Sequence, residues 1–435
     1  MPKHADPGPA HGLSTTADAA PTDPQAARPS HKVPPALRRL FRTAPFVAPM
    51  APIAYSVTVY YVAIQVEHMD PDAKTSNLAL INALAAVAAM LAQPIVGVLS
   101  DRTRSRYGAR RPWMLASACL GATALLTCGL APNLAALTVC VMLVQFGFNA
   151  FQGPFSALLP DRVPDHLRGR YSTGVGLGML LGAVLGPIVG SLFTDDIPLG
   201  YAVIAGATLL VIVLFVALVP DRDNRGEPRR PFSPRAFLAA FWVNPVRNPD
   251  FFWGFAGRFL LFGGYAMLNT YQLYLAQDYV GLTLEQAKRT VPLLSLVALP
   301  GILVATTVAG PLSDRLGRRK PVVLVSGLLI SAGAAIPLAL PSVLGLALSS
   351  FVVASGFGAF AAVDQALMSS VLPNPEDFGK DLGVLNLAAT LPNTIAPVAA
   401  AGIVHAFGGY AALYPVVGVI GFLGALAVLP IRSVR

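Results

Sequence analysis

Twelve apolar runs, each about as long as a bilayer is thick, constrain this chain more than any other feature. They fall at roughly 45–66, 78–100, 113–131, 134–159, 172–193, 199–219, 251–275, 290–311, 321–340, 344–369, 383–405 and 410–430. About 20 consecutive apolar residues are what a helix needs to cross the hydrocarbon core. The chain is 54% hydrophobic and only 12% charged, against about 25% charged in an ordinary soluble protein. A soluble α/β enzyme does not place its apolar residues in bilayer-length runs. The expected fold is therefore an all-α membrane protein of twelve transmembrane helices.

The connections divide the chain. Residues 1–44, rich in Ala, Pro, His, Asp and Thr, show no hydrophobic periodicity and are expected to form a disordered tail. No apolar core with a small-residue cleavage site precedes the first span, so that span is expected to insert the chain. The longest polar break, 220–250, carries Pro220, Asp221, Arg222, Arg225, Arg229, Arg230 and Arg235. It separates six spans (45–219) from six more (251–430), with 431–435 left as a short C-terminal end. Within it, Phe237, Leu238, Phe241 and Trp242 form an apolar patch suited to a short interfacial helix.

Charge sets the orientation. The net charge is +9, and nearly all of the 31 Lys and Arg lie in the tail, the even-to-odd loops and the C-terminus. The other connections hold Lys74, Lys288 and Arg289, and Arg258 lies inside a span. Basic residues accumulate in cytoplasmic loops, so both termini are expected in the cytoplasm. This distribution explains the positive charge without nucleic acid. Cys119, Cys128 and Cys140 lie in apolar segments without metal-ligand spacing.

The two sets of six spans are related. Gly97-Val-Leu-Ser-Asp101-Arg102 follows span 2, and Gly310-Pro-Leu-Ser-Asp314-Arg315 follows span 8, 213 residues later. Gly147-Phe-Asn-Ala-Phe151 in span 4 matches Gly356-Phe-Gly-Ala-Phe360 in span 10, 209 residues later. Equivalent spans at nearly equal offsets indicate a duplicated six-span unit, giving two pseudo-symmetric bundles. The paired loops resemble the signature loop of the major facilitator superfamily. The longer first copy, Asp101-Arg-Thr-Arg-Ser-Arg106-Tyr-Gly108-Ala-Arg110-Arg111-Pro112, is similar to the form in the glycoside–pentoside–hexuronide and sucrose-type sugar transporters.

The resemblance implies a secondary transporter working by alternating access, with spans 1, 4, 7 and 10 lining a central cavity. It implies a gating role for Gly97, Asp101, Arg102, Arg106, Gly310, Asp314 and Arg315. Asp101 would face the start of span 11 and Asp314 the start of span 5, each carboxylate meeting the positive end of a helix dipole. Arg102 and Arg106 would then pair with Glu376, Asp377 or Asp381. The plainer reading is that this basic cluster enforces topology. Gly174, Gly178, Gly182, Gly186 and Gly190 recur every fourth residue in span 5, which puts them on one face and admits another helix closely. The end of that run, Gly182-x-x-x-Gly186-Pro187-x-x-Gly190, also resembles a motif of proton-antiport exporters, with Ser191 where a second glycine usually stands.

Charged residues inside a span need a reason. Arg258 in span 7 and Asp364 in span 10 sit at similar depth, so they are expected to pair, as a substrate or coupling site or as a static brace. Polar residues form helical stripes: Gln145, Asn149, Gln152 and Ser156 in span 4; Tyr265, Asn269 and Gln272 in span 7; Thr58, Tyr61 and Gln65 in span 1; Asn386, Thr390 and Asn393 in span 11. Amides and aromatic rings suit a hydroxyl-rich solute, whereas interhelical bonding is the alternative use. Spans 1–6 have no central carboxylate, which argues against a sodium site of the sugar-transporter kind and leaves Asp364 to carry a proton. His68 and His405 read as surface residues.

The leading expectation is a transporter of a sugar or glycoside, proton-coupled, with a proton-antiport exporter of drugs or secondary metabolites as the alternative. No zinc-hydrolase pair, nucleophile elbow or phosphate-cradling loop is present, which excludes an enzyme and ATP-driven transport. No metal or organic cofactor is expected; the partners are the bilayer, the solute and protons. The resemblance implies a monomer. The abundance of Arg over Lys and of Ala fits a bacterial plasma membrane.

Overall fold

A computed structural model of the chain describes residues 33–226, 248–370 and 378–432. Twelve helices follow in order: α1 (Arg38–Met69, turning at Ala48 and Pro49), α2 (Lys74–Arg102), α3 (Arg111–Cys128), α4 (Leu134–Arg162), α5 (Asp165–Ser191) and α6 (Ile197–Leu218). The second set is α7 (Pro249–Thr270), α8 (Leu284–Leu316), α9 (Lys320–Ala339), α10 (Val343–Ser370), α11 (Phe378–Phe407) and α12 (Leu413–Leu426). Among the described residues, nine of these contain stretches long and apolar enough to cross a membrane, and the apolar segments Ile395–Phe407 and Tyr410–Leu426 are shorter. The face where α1 begins and α12 ends is called here the terminal face, and the opposite one the distal face.

Lipid and interior are both apolar, so helices differ around their circumference in size rather than polarity. Along α2, Leu80, Leu84, Val87, Leu91 and Ile95 point outward, while Leu78, Ile81, Ala85, Ala92 and Val96 are buried. The outward stripe advances by three or four residues, as one helix face must. Outside the hydrocarbon, side chains finish the helices. Asn133 accepts from the Ala136 amide at the start of α4, and Asp196 from the Leu199 amide at the start of α6. Each caps a backbone N–H that has no intrahelical partner.

The halves repeat in packing as well as in sequence. In the first, α2 and α3 pack on α4, α3 on α6 and α1 on α5; in the second, α8 and α9 pack on α10, α9 on α12 and α7 on α11. The equivalent glycines Gly147 and Gly356 sit at the same crossing. A Cβ at Gly147 would lie 3.0 Å from the Ser117 carbonyl, and one at Gly356 2.7 Å from the Ser326 carbonyl. Ser117 and Ser326 are themselves one repeat apart. At the terminal face, Arg111 at the start of α3 donates to the Val216 carbonyl (2.6 Å) and Lys320 at the start of α9 to the Leu429 carbonyl (3.2 Å). Both place a cation where helix carbonyls lack partners and the dipole is negative.

Two expected boundaries differ. The chain is helical from Pro35, not from 45, because Leu40, Ala44 and Val47 fall on one face that is buried while Arg38, Arg39 and Arg42 stay exposed. The prolines around this segment hid a periodicity that is already helical. The start of the 220–250 break also has defined partners. Asp221 accepts from Arg162 (2.6 Å) and from the Arg110 amide (3.1 Å), and Asn224 bonds the Ser105 amide and the Thr103 carbonyl, each at 2.9 Å. Tail residues 1–32 and the apolar patch at 237–242 lie outside the described residues.

The halves meet through α2 against α11 and α5 against α8, while the glycine face of α5 packs inside its own half on α1. A Cβ at Gly182 would overlap the Pro49 carbonyl, and one at Gly186 the Ser56 side chain. Gly182→Leu or Gly186→Leu is therefore expected to cost about 1–3 kcal/mol by overpacking, whereas Gly206→Ala, with open space around it, should be neutral or slightly stabilising. Thermal unfolding of the purified protein in detergent distinguishes them; equal midpoints for all three variants would contradict the close crossing.

Candidate functional site: the cavity between the two halves

The polar residues near the distal ends of several helices enclose a two-lobed cavity. One lobe, of about 880 Å³ with open solvent included, lies between α1 and α7 and is lined by Tyr55, Ser56 and Tyr60. The other, of about 710 Å³ on the same measure, extends among α7, α8, α10 and α12 and reaches Ser349, Ser350 and Tyr414. Ala183, Pro187, Tyr265, Asn269 and Gln272 line both and form the waist between them. Among the described residues, no charged side chain lines either lobe. The hydroxyls of Tyr55 and Tyr414 are buried and have no hydrogen-bond partner among the described residues.

A bonded layer closes the cavity on the distal side. Tyr60 donates to the Lys288 carbonyl (2.8 Å) and Tyr274 to the Ala63 carbonyl (3.0 Å), each joining one half to the other. Lys74 reaches Glu67 of its own half at 3.0 Å and Asp278 of the other at 2.9 Å, above the Tyr274 ring. Ser76 meets His405 at 2.9 Å, and Thr75 bonds Tyr410. The Tyr271, Tyr274 and Tyr410 rings pack with centroids 6.0–6.2 Å apart.

Of the residues singled out in the sequence, Tyr265, Asn269 and Gln272 line the cavity, whereas span 4 does not supply its amides to it. Asn149 donates to the Gln145 carbonyl and side chain, and Gln152 is buried. Tyr61 was expected to face a solute but is fully buried in its own half. It donates to the Gly190 carbonyl (2.7 Å) and packs edge-on against Tyr201. Its neighbour Tyr60 turns toward the other half instead, because one step along a helix rotates the side chain by about 100°. Asn386, together with Thr390 and Asn393, lies outside the described side chains. Tyr55, Ser56, Ser349, Ser350 and Tyr414 were not anticipated. Their only signal was position, near the distal ends of helices that converge there.

Arg258 and Asp364 do meet, with Nη2 3.2 Å from Oδ2, both largely buried. Neither lines the cavity. Seven residues separate Arg258 from Tyr265, about 10 Å along α7, and aromatic rings fill that interval. The Arg258 guanidinium lies 5.3 Å over Phe262, Phe262 packs edge-on against Phe357 and Phe360, and Tyr265 stacks on Phe357 at 3.9 Å. Asp364 Oδ1 and Arg258 Nε have no hydrogen-bond partner among the described residues. The pair thus sits toward the terminal face, behind an aromatic layer.

In the signature loop, Asp101 finds its ion-pair partner inside its own half. Asp101 pairs with Arg110, which also bonds Asp161 at 2.9 Å. Burial pulls the Arg110 guanidinium down, but the Asp161 and Asp101 carboxylates outweigh it and raise its pKa. Arg106 lies over the ring of Tyr107, Arg102 and Arg315 are exposed, and the faces of Gly97 and Gly310 are open. Asp314 and the expected acidic partners Glu376, Asp377 and Asp381 lie outside the described side chains.

The fold and this repeat agree with the comparisons. The Major Facilitator Superfamily family model matches residues 46–307 and 293–435, and the chain belongs to that family. It is therefore a multi-pass membrane protein of a transporter family. Over 45 residues, 10% of this chain and 8% of the relative, it is 51% identical to the general alpha-glucoside permease of Schizosaccharomyces pombe. Over 215 residues, 47% of this chain and 43% of the relative, it is 27% identical to the Fujikurins efflux protein of Gibberella fujikuroi. The chain thus matches less than half the length of either curated relative. Among solved structures, a bacterial homolog of the human lysosomal transporter Spinster, inward-facing and occupied, aligns with a TM-score of 0.69 at 15% identity, covering 91% of this chain and 96% of that one. The nucleoside transporter NupG aligns with a TM-score of 0.69 at 13% identity, covering 90% and 99%.

Removing one member of a buried ion pair strands the other. Arg258→Ala and Asp364→Ala are each expected to destabilise the protein by about 3–5 kcal/mol, and the double variant by less than the sum of the two. Thermal midpoints of the three purified variants measure the coupling; strictly additive losses would show that the pair does not act as a unit.

Proposed function

We propose that the chain moves an uncharged, hydroxyl-bearing solute, a sugar or glycoside, by alternating access and coupled to protons. The observation that carries this reading is the cavity between the halves, lined by amide, hydroxyl and aromatic groups without a charge and closed at the distal face. Amides such as Asn269 and Gln272 hydrogen-bond hydroxyls, while the Tyr265 ring offers an apolar surface to sugar C–H groups. A charged solute would enter a site with no countercharge, at a large desolvation cost. The short match to the glucoside permease supports the same solute class.

In this reading the basic terminal face is cytoplasmic by the distribution of Lys and Arg, in a bacterial plasma membrane. The distal bonds are then the closed outer gate. Inward release needs the signature loops around Gly97 and Gly310 to part from the opposite half, and the pairing of Asp101 with Arg110 inside its own half fits that state. Asp364 is the proton-carrying residue, with Arg258 as its ion-pair partner.

A second reading is export of a neutral secondary metabolite. The apolar walls of the second lobe, Leu294, Leu346 and Val353 among them, favour it, as does the likeness to the efflux protein.

Solute-induced pH change in sealed right-side-out vesicles separates the two. Sugar or glycoside import with protons alkalinises the outside; export by antiport gives the opposite sign with apolar metabolites and silence with sugars. Asp364→Asn is expected to abolish accumulation above equilibrium; undiminished accumulation would remove Asp364 from coupling. Bridging a Ser76→Cys, His405→Cys double variant with a cleavable bifunctional thiol reagent is expected to stop turnover, and cleaving the bridge to restore it. Full transport by the cross-linked protein would mean that the distal face need not open.

A further inference from the structure

The first turns of α1 carry positive charge that no other described side chain balances. Arg38, Arg39 and Arg42 are exposed, and Phe46, one turn further in, is 73% exposed. At about 100° per residue these four side chains leave the helix within one arc of about 100°. The buried residues Leu40, Ala44 and Val47 lie opposite. The segment is firmly seated on α5. Phe41 packs edge-on against Tyr171 with centroids 5.5 Å apart, and a Cβ at Gly174 would come within 3.2 Å of the Pro45 ring. The Phe41–Tyr171 contact brings Arg42 and the exposed Arg170, each one residue away, to one level of two adjoining helices.

Among the described residues, Arg38, Arg39, Arg42 and Arg170 have no ion-pair or side-chain hydrogen-bond partner. Other carboxylates on this face of the first half are already engaged: Asp101 and Asp161 with Arg110, Asp221 with Arg162, and Asp223 with Arg225. A free anion would satisfy the arginines and leave the Phe46 ring uncovered. A phospholipid covers both. Four residues separate Arg42 from Phe46, about 6 Å along the helix, comparable to the roughly 5–10 Å by which interfacial apolar side chains sink past the headgroups.

We propose that this face of α1 binds an anionic phospholipid, its phosphate held by Arg38, Arg39 and Arg42 and its acyl chain lying on Phe46. Guanidinium groups grip phosphate through paired N–H donors. Each basic residue beside an anionic lipid surface adds about fivefold in affinity. The same helix carries Tyr55, Ser56 and Tyr60 to the cavity, so the lipid anchors the element that supplies most of the first half's polar lining. The site is independent of which solute the chain carries.

The test uses the full chain in nanodiscs, with Phe46→Trp as a local reporter read as the difference from the parent protein. Brominated phosphatidylglycerol and phosphatidylcholine of matched chains quench an indole that they touch. Phosphatidylglycerol is expected to be preferred at least about fivefold at this indole in low salt, and less in high salt. Leu199→Trp, exposed at the distal end of α6, reads bulk lipid and is expected to give a ratio near one. Adding Arg38→Gln, Arg39→Gln and Arg42→Gln is expected to bring the Phe46→Trp ratio to one as well. Equal ratios at the two reporters, or a preference that survives loss of the three arginines, would overturn the site. Inorganic phosphate at constant ionic strength is expected to leave the preference intact; abolition would mean a site for free anions and overturn the lipid. The thermal midpoint of the unmodified protein is expected to be higher in micelles doped with phosphatidylglycerol than with phosphatidylcholine, a reading that no misfolded variant disturbs. Identical midpoints would count against the proposal.

Discussion

Lipid offers a peptide group nothing to hydrogen-bond, and every other feature of this molecule follows from that. The backbone must satisfy itself, so each segment in the bilayer is a helix. Because lipid tails are as apolar as leucine, helices cannot be sorted by burying hydrophobic side chains alone. What remains to specify the bundle is close approach and a small number of polar bonds. The crossings at Gly147 and Gly356, and the α1–α5 contact at Gly182 and Gly186, supply the first. The bonds from Arg111 to a last-turn carbonyl of the sixth helix and from Lys320 to a carbonyl just past the twelfth supply the second.

Those devices recur at one spacing in both halves, yet the halves are not used alike. The buried ion pair and the aromatic layer belong to the second half. The first contributes α1 and α5 to the cavity and half of the distal closure. Packing is thus shared by both copies of the repeat, while the chemistry within the membrane is concentrated in one. The waist residues Ala183 and Pro187 on α5, with Tyr265 and Asn269 on α7 and Gln272 just past its end, are where the two contributions touch.

The spans, their division into two sets of six and the internal repeat were legible because each is a pattern of many residues. Arg258 and Asp364 were legible as partners because charges inside a membrane are few. Which neutral polar residues face the cavity was not. Gln145, Asn149 and Gln152 form as regular a stripe as Tyr265, Asn269 and Gln272, and periodicity cannot tell a helix face that lines space from one that does not. Tyr60 and Tyr61 are adjacent and chemically identical, and the tilt of one helix decides which joins the halves. The distal closure was hidden for a related reason: Glu67, Lys74 and Asp278 sit at span ends, where charge is ordinary, and only the fold brings them within 3 Å or so.

The aromatic layer between the cavity and the Arg258–Asp364 pair governs how the two communicate. A solute without charge, held behind Phe262, Phe357 and Tyr265, exerts almost no electrostatic field on a carboxylate two turns away. Information between them has to travel as displacement. Tyr265 touches the solute site and stacks on Phe357 of α10; Arg258 hangs from the same helix as Tyr265, and Asp364 from the same helix as Phe357. Sliding one ring over the other shifts α7 against α10 and so changes the spacing of the two charges. On the proposed function, the stacked pair would work as a mechanical linkage, converting the presence of a neutral molecule into the opening or closing of an ionic contact it never meets.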